Sequence, residues 1–242
     1  MAISLAGYTL RPRWWALLLA LGFAAATVSL GNWQSGRALE KQALADRSRE
    51  GERSAALRLG PEPVSAVPLA QRRLVARGEF VPERTVLLDY KIHRGRLGYY
   101  VVTPLRIEGS AMHVLVNRGW VAAGARREDL PEVRTPMGTL SIEGVAQLRA
   151  ERALDAGGGT PSGRVWQNLS FDAYRAWSGL QIQPLLIEQR SVADDGLARD
   201  WPEPDFGIDK HRSYAMQWYL MAAFSILLFI VLSVRRDRPA AP

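Results

Sequence analysis

Two long apolar runs without charged residues stand out along an otherwise polar chain. The first covers residues 14–30 and continues through Gly31 to Trp33, and the second covers residues 214–234. At a helical rise of about 1.5 Å per residue, runs of this length cross about 30 Å of hydrocarbon. We therefore predict transmembrane helices over residues 14–33 and 211–234.

Basic residues flank both predicted spans on the side away from the long loop. These are Arg11, Arg13, Arg235, Arg236 and Arg238. Basic flanks stay in the cytoplasm, and a loop this long is translocated largely regardless of its own charge. We therefore predict that residues 1–13 and the basic tail 235–242 are cytoplasmic, and that residues 34–210 lie outside.

A competing interpretation is that residues 1–26 form a cleaved signal peptide, with the alanines at 24–26 as the cleavage site. Tryptophans at both ends of the first run favour a retained span, because indole rings anchor helices at the membrane interface. They are Trp14, Trp15 and Trp33.

After the first span the pattern changes twice. Residues 34–59 are polar and predict a helical extension of the first span, and the proline-rich stretch 60–68 breaks any helix. From Arg72 onward, short apolar runs alternate with turn residues. We predict a β-rich domain over residues 60–210.

Five runs in this region have the composition of strands, at 73–81, 85–92, 98–107, 111–121 and 138–148. Their connections are mostly too short for parallel crossovers. Residues 170–180 predict one short helix with Ser170 as its N-cap and Gly179 as its end. Residues 182–191 predict a sixth strand, at the edge of the sheet because it contains Pro184.

The predicted fold class is therefore a membrane protein in which two transmembrane helices flank an extracytoplasmic domain. That domain is expected to be mainly antiparallel β and barrel-like, of the α+β type.

Composition and charge exclude several kinds of site and partner. The 242-residue chain has a net charge of +7 and no cysteine, which excludes disulfides, thiolate metal sites and a cysteine nucleophile. The basic balance is explained by flanking arginines and by solvated surface. Because no zinc-finger, RNP or basic-helix pattern is present, we expect the lipid bilayer and not nucleic acid as a partner.

The sequence offers no catalytic constellation in the loop between the spans. His93 lies in a charged turn and His113 in a strand, and neither has the spacing of a triad or a zinc helix. The triple glycine at 157–159 lacks the lysine of a phosphate loop and predicts a linker. We therefore expect a protein that is not an enzyme.

The stretch VNRGWV at 116–121 predicts a turn or bulge, with positive φ at Asn117 and Gly119 and a packing tryptophan at Trp120. Its expected role is structural.

The start of the second span carries the one histidine placed beside aromatic residues. On a helix, His211, Tyr214 and Trp218 fall on one face, and Gln217 and Ser225 add polar groups that rarely face lipid. Imidazole ligates haem iron and aromatic rings stack on flat ligands. The alternative is an ordinary interfacial aromatic belt that contains a histidine.

Five motifs in order bear on this choice. They are LGNWQSGRALEK, RGEFVPERTVLLD, GRLGYYVVTPL, VLVNRGWV and HRSYAMQWY, between two apolar spans. With them the chain resembles the surfeit-locus (Shy-like) family of cytochrome c oxidase assembly proteins over nearly its whole length. The resemblance implies a non-enzymatic, membrane-anchored factor of the respiratory chain whose bacterial relatives bind haem a and aid its delivery to the catalytic subunit.

The resemblance also implies site residues. The family's haem-linked histidine matches His211, as axial ligand of the iron or a close neighbour of it, and Tyr214 and Trp218 match its aromatic neighbours. Trp33 is expected to add a wall, and arginines of the outer domain to meet the propionates. The chain departs from the family at Lys210, where many relatives have asparagine.

The expected partners are the catalytic subunit of cytochrome c oxidase and other assembly factors. The expected location is the inner membrane of a bacterium, because no long Arg/Ser-rich presequence is apparent. The alternative function is a membrane-anchored scaffold that stabilises an oxidase intermediate without binding haem.

Overall fold

In a computed structural model of the chain, the described residues are 3–5, 8–10, 13–126, 129–148, 163–202 and 205–236. In chain order they form β1 (Ile3–Leu5), β2 (Tyr8–Leu10), α1 (Trp14–Arg53), β3 (Leu57–Leu59), β4 (Arg73–Phe80), β5 (Val86–His93), β6 (Arg96–Ile107), β7 (Met112–Ala122), β8 (Leu140–Gln147), β9 (Val165–Trp166), α2 (Phe171–Ser178), β10 (Gln181–Gln189), α3 (Ile208–Ser233) and β11 (Val234–Arg236). The predicted linker at 157–159 lies outside the described residues.

The elements divide into two compact units. One consists of residues 1–46 and 203–242, and the other of residues 47–202. The first unit contains the apolar helices and the second contains the β-sheet, so the predicted layout of two apolar helices flanking a barrel-like domain is confirmed.

The first unit is dominated by α1 and α3, which are long and apolar enough to cross a membrane. α1 has 40 residues and α3 has 26, which correspond to lengths of about 60 Å and about 39 Å. At the start of α1 and the end of α3 lies a small antiparallel sheet in which β2 pairs with both β1 and β11.

Small residues line the face of α1 that packs against α3. Ala20, Thr27, Gly31 and Ala38 are buried, at spacings of seven, four and seven residues, and Ala215 and Ala222 are buried on α3. A Cβ built on Gly31 would lie 2.6 Å from a ring carbon of Tyr219. Because only small side chains allow such an approach, this pattern is typical of helices that pack inside a bilayer.

The predicted helical extension to residue 59 is too long. α1 ends at Arg53, and β3 pairs in parallel with β4. The end of the helix follows Gly51, a poor helix former. The proline-rich stretch beyond β3 is tied to the sheet by the buried side chain of Gln183, which donates to Glu62 O at 2.7 Å and accepts from Val64 N at 3.1 Å.

The second unit is a closed barrel with additional strands. The sheet order is β3-β4-β8-β10-β7-β6-β5-β9, and a further pairing of β4 with β6 closes a ring of β4, β8, β10, β7 and β6. Five of the predicted strands match β4, β5, β6, β7 and β8 within two residues. Most pairings are antiparallel, as predicted.

Three apolar clusters stabilise this unit, the smallest formed by Leu87, Tyr99, Val101 and Leu197. Alternating residues such as Leu74, Val116 and Ile187 fill one cluster, and α2 covers another that contains Leu115, Trp166 and Tyr174. α2 has the predicted caps: the Ser170 side chain accepts from Ala173 N, and Gly179 is left-handed with φ 70°. The Tyr174 hydroxyl donates to Arg84 O, and burial raises its pKa.

The prediction that the strand containing Pro184 lies at an edge is wrong. β10 lies between β8 and β7, antiparallel to the first and parallel to the second. Its register with β7 jumps between Ile182 and Leu186, so Pro184 sits in a bulge where its missing N–H breaks no ladder hydrogen bond. The edge prediction assumed that a proline in a central strand costs a ladder hydrogen bond. Because the bulge leaves this position unpaired, no such bond is lost.

The predicted bulge at VNRGWV is present, in the middle of the β6–β7 pair. Val101 pairs with Gly119 and Val102 with Asn117, which leaves Arg118 as the extra residue. Gly119 has φ +145°, whereas Asn117 does not adopt a positive φ. The bulge turns the Arg118 side chain into the protein, where it is 0% exposed.

Buried Arg118 organises two connecting segments. Its guanidinium donates to Asp195 Oδ2 at 2.9 Å and to Arg134 O at 2.6 Å, and it lies 5.0 Å from the Phe80 ring. Asp195 Oδ2 also accepts from Arg199 at 2.5 Å. Burial lowers the pKa of Arg118 and the bond to Asp195 opposes this shift, as expected for a paired buried charge.

Replacing Asp195 by asparagine is expected to lower the free energy of unfolding by about 3 kcal/mol, because Arg118 would remain buried without its carboxylate. Glu108→Gln is the matched control, since it breaks an exposed pair with Arg77 and should cost about 0.5 kcal/mol. Urea unfolding of the full chain in detergent, followed by tryptophan fluorescence, measures both. If both variants lost the same free energy of unfolding, the buried pair would contribute no more to stability than the exposed one.

Candidate functional site

The candidate site lies where α3 begins. Gly207 takes a left-handed conformation with φ 69° and caps the helix, and the backbone N–H of His211 donates to Gly207 O. His211 is therefore in the first turn of a helix that continues into the apolar span. This places an imidazole at the polar end of the helix pair.

The His211 side chain is held by a residue of α1. Its Nδ1 lies 2.7 Å from Gln34 Oε1, and both side chains are half-buried. A carbonyl oxygen only accepts, so Nδ1–H donates to Gln34 and Nε2 is turned away from it. Such a fixed tautomer is the arrangement by which histidines are oriented toward a metal.

Two predicted aromatic neighbours share the face of His211. Tyr214 and Trp218 follow it by three and seven residues on α3; Tyr214 is 54% exposed and Trp218 is half-buried. The imidazole and the two rings thus form one stripe that is open on its outer side. An open stripe of this kind can lie against the flat face of a ring system.

Trp33, the predicted wall residue on α1, is exposed and takes no part in the hydrogen bond to His211. It is 55% exposed, and its ring lies 5.9 Å from the guanidinium of Arg37. The α1 residue that contacts His211 is its neighbour Gln34. Trp33 therefore stands beside the site on the flank of α1, next to a cation.

A second polar contact between the helices was not predicted. The Tyr219 hydroxyl donates to Asn32 Oδ1 at 2.8 Å and lies 3.2 Å from Ser35 Oγ. Tyr219 also packs over Gly31. The polar run GNWQS at the end of the first span could have predicted this contact, because polar side chains at the end of an apolar span need partners.

Cations surround the polar end of the helix pair. Arg37 forms an exposed pair with Glu40, and the Arg212 guanidinium lies 3.4 Å from Gln42 Oε1. Lys41 is half-buried, and Lys210, the departure from the family pattern, is exposed. A ligand with negatively charged groups would compete here with Glu40 and Asp209, which pair with Arg37 and Arg212.

The other two histidines make packing contacts. The His93 ring lies 4.9 Å from the Trp120 ring, with Nε2 3.3 Å from Asp200 Oδ1. His113 is buried, its Nδ1 lies 3.2 Å from Gln181 O, and burial lowers its pKa. Among the described residues no group of three or more His, Asp or Glu side chains is placed to hold a metal ion.

Comparison with known proteins identifies the family. The SURF1 family model matches residues 21–223, from the first span to the middle of α3. The chain belongs to the SURF1 family. The resemblance inferred from the ordered motifs is thereby confirmed.

Individual relatives match over similar lengths. Surfeit locus protein 1 of Rattus norvegicus is 26% identical over 241 residues, which cover 92% of this chain and 76% of the relative. A SURF1-like protein of Caenorhabditis briggsae is 22% identical over 238 residues, covering 88% and 74%. An uncharacterized SURF1-like protein of Mycobacterium bovis is 32% identical over 163 residues, covering 62% and 56%.

The contact between Tyr219 and α1 predicts a difference between two tyrosines of this SURF1-family helix. Tyr219→Phe is expected to weaken helix packing by about 1 kcal/mol, because it removes a hydrogen bond inside the bilayer-spanning pair. Tyr214→Phe is the matched control and should change packing little. The midpoint of unfolding in mixed micelles titrated with SDS measures both, and equal midpoints would argue against the contact.

Proposed function

We propose that this protein is an assembly factor for haem–copper cytochrome c oxidase that binds haem a and aids its delivery to the catalytic subunit. Membership of the SURF1 family, known for oxidase assembly, supports the general role. The observation that carries the haem-binding step is the hydrogen bond between His211 Nδ1 and Gln34 Oε1. It leaves Nε2 available as a ligand.

The residues present fit a haem. A neutral imidazole with a fixed tautomer is a haem-iron ligand, and Gln34 supplies the acceptor that fixes it. Tyr214 and Trp218 offer ring surface along the same stripe. Arg37 and Lys41 stand at the polar end, where carboxylates of the porphyrin would find cations.

The openness of the stripe fits a carrier. Tyr214 is more than half exposed and His211 is only half-buried, so a bound ring would keep one face accessible. Affinity rises with the area that is buried and with preorganisation. We therefore infer modest affinity and transient binding, which suit transfer to another protein.

Location and partners follow from the same proposal. The two apolar helices anchor the chain. The arginines near the two termini favour cytoplasmic ends, with residues 34–210 on the outer side of a bacterial inner membrane. The catalytic subunit of the oxidase is the proposed recipient of the haem, and other assembly factors are further partners. Nothing in this role requires the protein to be an enzyme.

Co-expression with the enzymes of haem a synthesis tests the haem-binding step. The purified wild type should carry haem a, and His211→Ala should lose at least about 90% of it, because the ligand and its hydrogen bond are both removed. His93→Ala is the matched control and should retain the pigment. Absorption spectra and haem extraction provide the measurement.

Two outcomes would contradict parts of the proposal. Unchanged pigment in His211→Ala would remove His211 from the site. A wild-type protein that supports oxidase assembly but never carries haem would favour a scaffold that stabilises an intermediate without touching haem.

Reporter fusions test the orientation. Alkaline phosphatase inserted in the β6–β7 turn at Gly109 is expected to be active, because that enzyme matures only outside the cytoplasm, and a fusion after residue 242 is expected to be inactive. Green fluorescent protein at the same two positions should give the reverse pattern. An active phosphatase at the C-terminus would overturn the proposed topology.

A further inference from the structure

A long apolar groove runs between the helices below the candidate site. It has a volume of about 1020 Å³ and is lined by residues 13–23 of α1 and its flank together with residues 224–233 of α3. Its wall includes Phe23, Phe229, Leu19 and Leu228, and Ala16 and Ala20 leave room between them. The groove is at the upper end of the size range of small-molecule sites.

The groove continues the stripe that carries His211. On α3, Trp218, Ser225 and Leu232 follow His211 at intervals of seven residues, and the last two line the groove. Residues seven apart lie on one face of packed helices. The histidine and the groove therefore share one side of the helix pair.

On α1 too, residues on this side change from charged near the candidate site to apolar at the groove. Arg37, Leu30, Phe23 and Ala16 follow one another at intervals of seven, and the last two line the groove. A smaller hollow on the opposite side is lined by Ser35, Leu39 and Met216 and by none of the three candidate haem-site residues of α3. That hollow is also lined by Arg212, so within the described part of the chain the first side differs in joining a histidine to an apolar groove.

The distances suit an elongated amphipathic ligand. His211 and Ser225 are 14 residues apart, which is about 21 Å along the helix. Haem a and haem o carry a long isoprenoid chain at one edge of the ring that haem b lacks, and all three carry two propionates. A ring ligated at His211 with its propionates toward Arg37 would direct such a chain toward Ser225.

We infer that the groove between α1 and α3 holds the isoprenoid chain of haem a, so that this protein selects haems by their tail. The inference rests on the proposed haem binding. Inside a bilayer the chain leaves lipid that is as apolar as the groove, so only closer packing against the groove can favour its binding. The selectivity is therefore expected to be modest.

Haem o and haem b provide the cleanest test, because they differ in the chain alone. Spectroscopic titration of the full-length protein in detergent should give about fivefold tighter binding of haem o than of haem b. Ser225→Leu, which places bulk in the groove, should reduce that ratio to about one and leave haem b binding unchanged. Phe23→Ala, which removes a wall of the groove 11 residues from Gln34 without adding bulk, should also lower the ratio.

Ala223→Leu is the matched control. Ala223 lies two residues from Ser225, is exposed, and does not line the groove. This variant adds the same side chain on another face of α3, so the wild-type ratio should be kept.

The outcomes separate the inference from the proposed function. Equal binding of haem o and haem b by the wild type, or an equal loss of both in Ser225→Leu, would overturn the tail site and leave haem binding in place. A wild type that binds none of these haems would overturn the proposed function, and the tail site with it.

Discussion

The hydrogen bond between His211 and Gln34 is the constraint on which the candidate site depends. It joins residues 177 positions apart in the chain, and both side chains are half-buried. Together with the contact of Tyr219 with Asn32, it holds the two apolar helices together at their polar end. The same bond orients the imidazole, so the contact that packs the helices also orients the proposed haem ligand.

The two ends of the helix pair differ in the side chains that border them. Gly31 and Ala38 allow close approach near the polar end, where the hydrogen bonds lie, whereas phenylalanines border the groove nearer the other end. A flat, charged ring and a long apolar chain need just such a succession of environments. The proposed cargo combines both in one molecule, and the openness of the stripe allows it to leave.

The barrel unit shows a different use of a buried polar group. The bulge in β7 turns Arg118 inward, and its bonds to Asp195 and to the backbone of Arg134 fix two segments that lie far apart in sequence. Buried pairs of this kind contribute little net stability compared with apolar packing, but removing one partner is costly. The motif VNRGWV is therefore best explained as the anchor of the loops at one end of the barrel.

Local patterns were sufficient to determine a large part of this protein. Uncharged runs fixed both apolar helices, alternation fixed five strands within two residues, and Ser170 and Gly179 fixed the ends of α2, because each of these signals acts over a few neighbouring residues. The stripe of His211, Tyr214 and Trp218 also follows from helical periodicity alone. Only the tertiary structure decided that Pro184 sits in a central strand, that Arg118 is buried, and that Gln34 contacts His211. Those features depend on pairings between distant segments, and no local period of the sequence encodes which partner a side chain will meet.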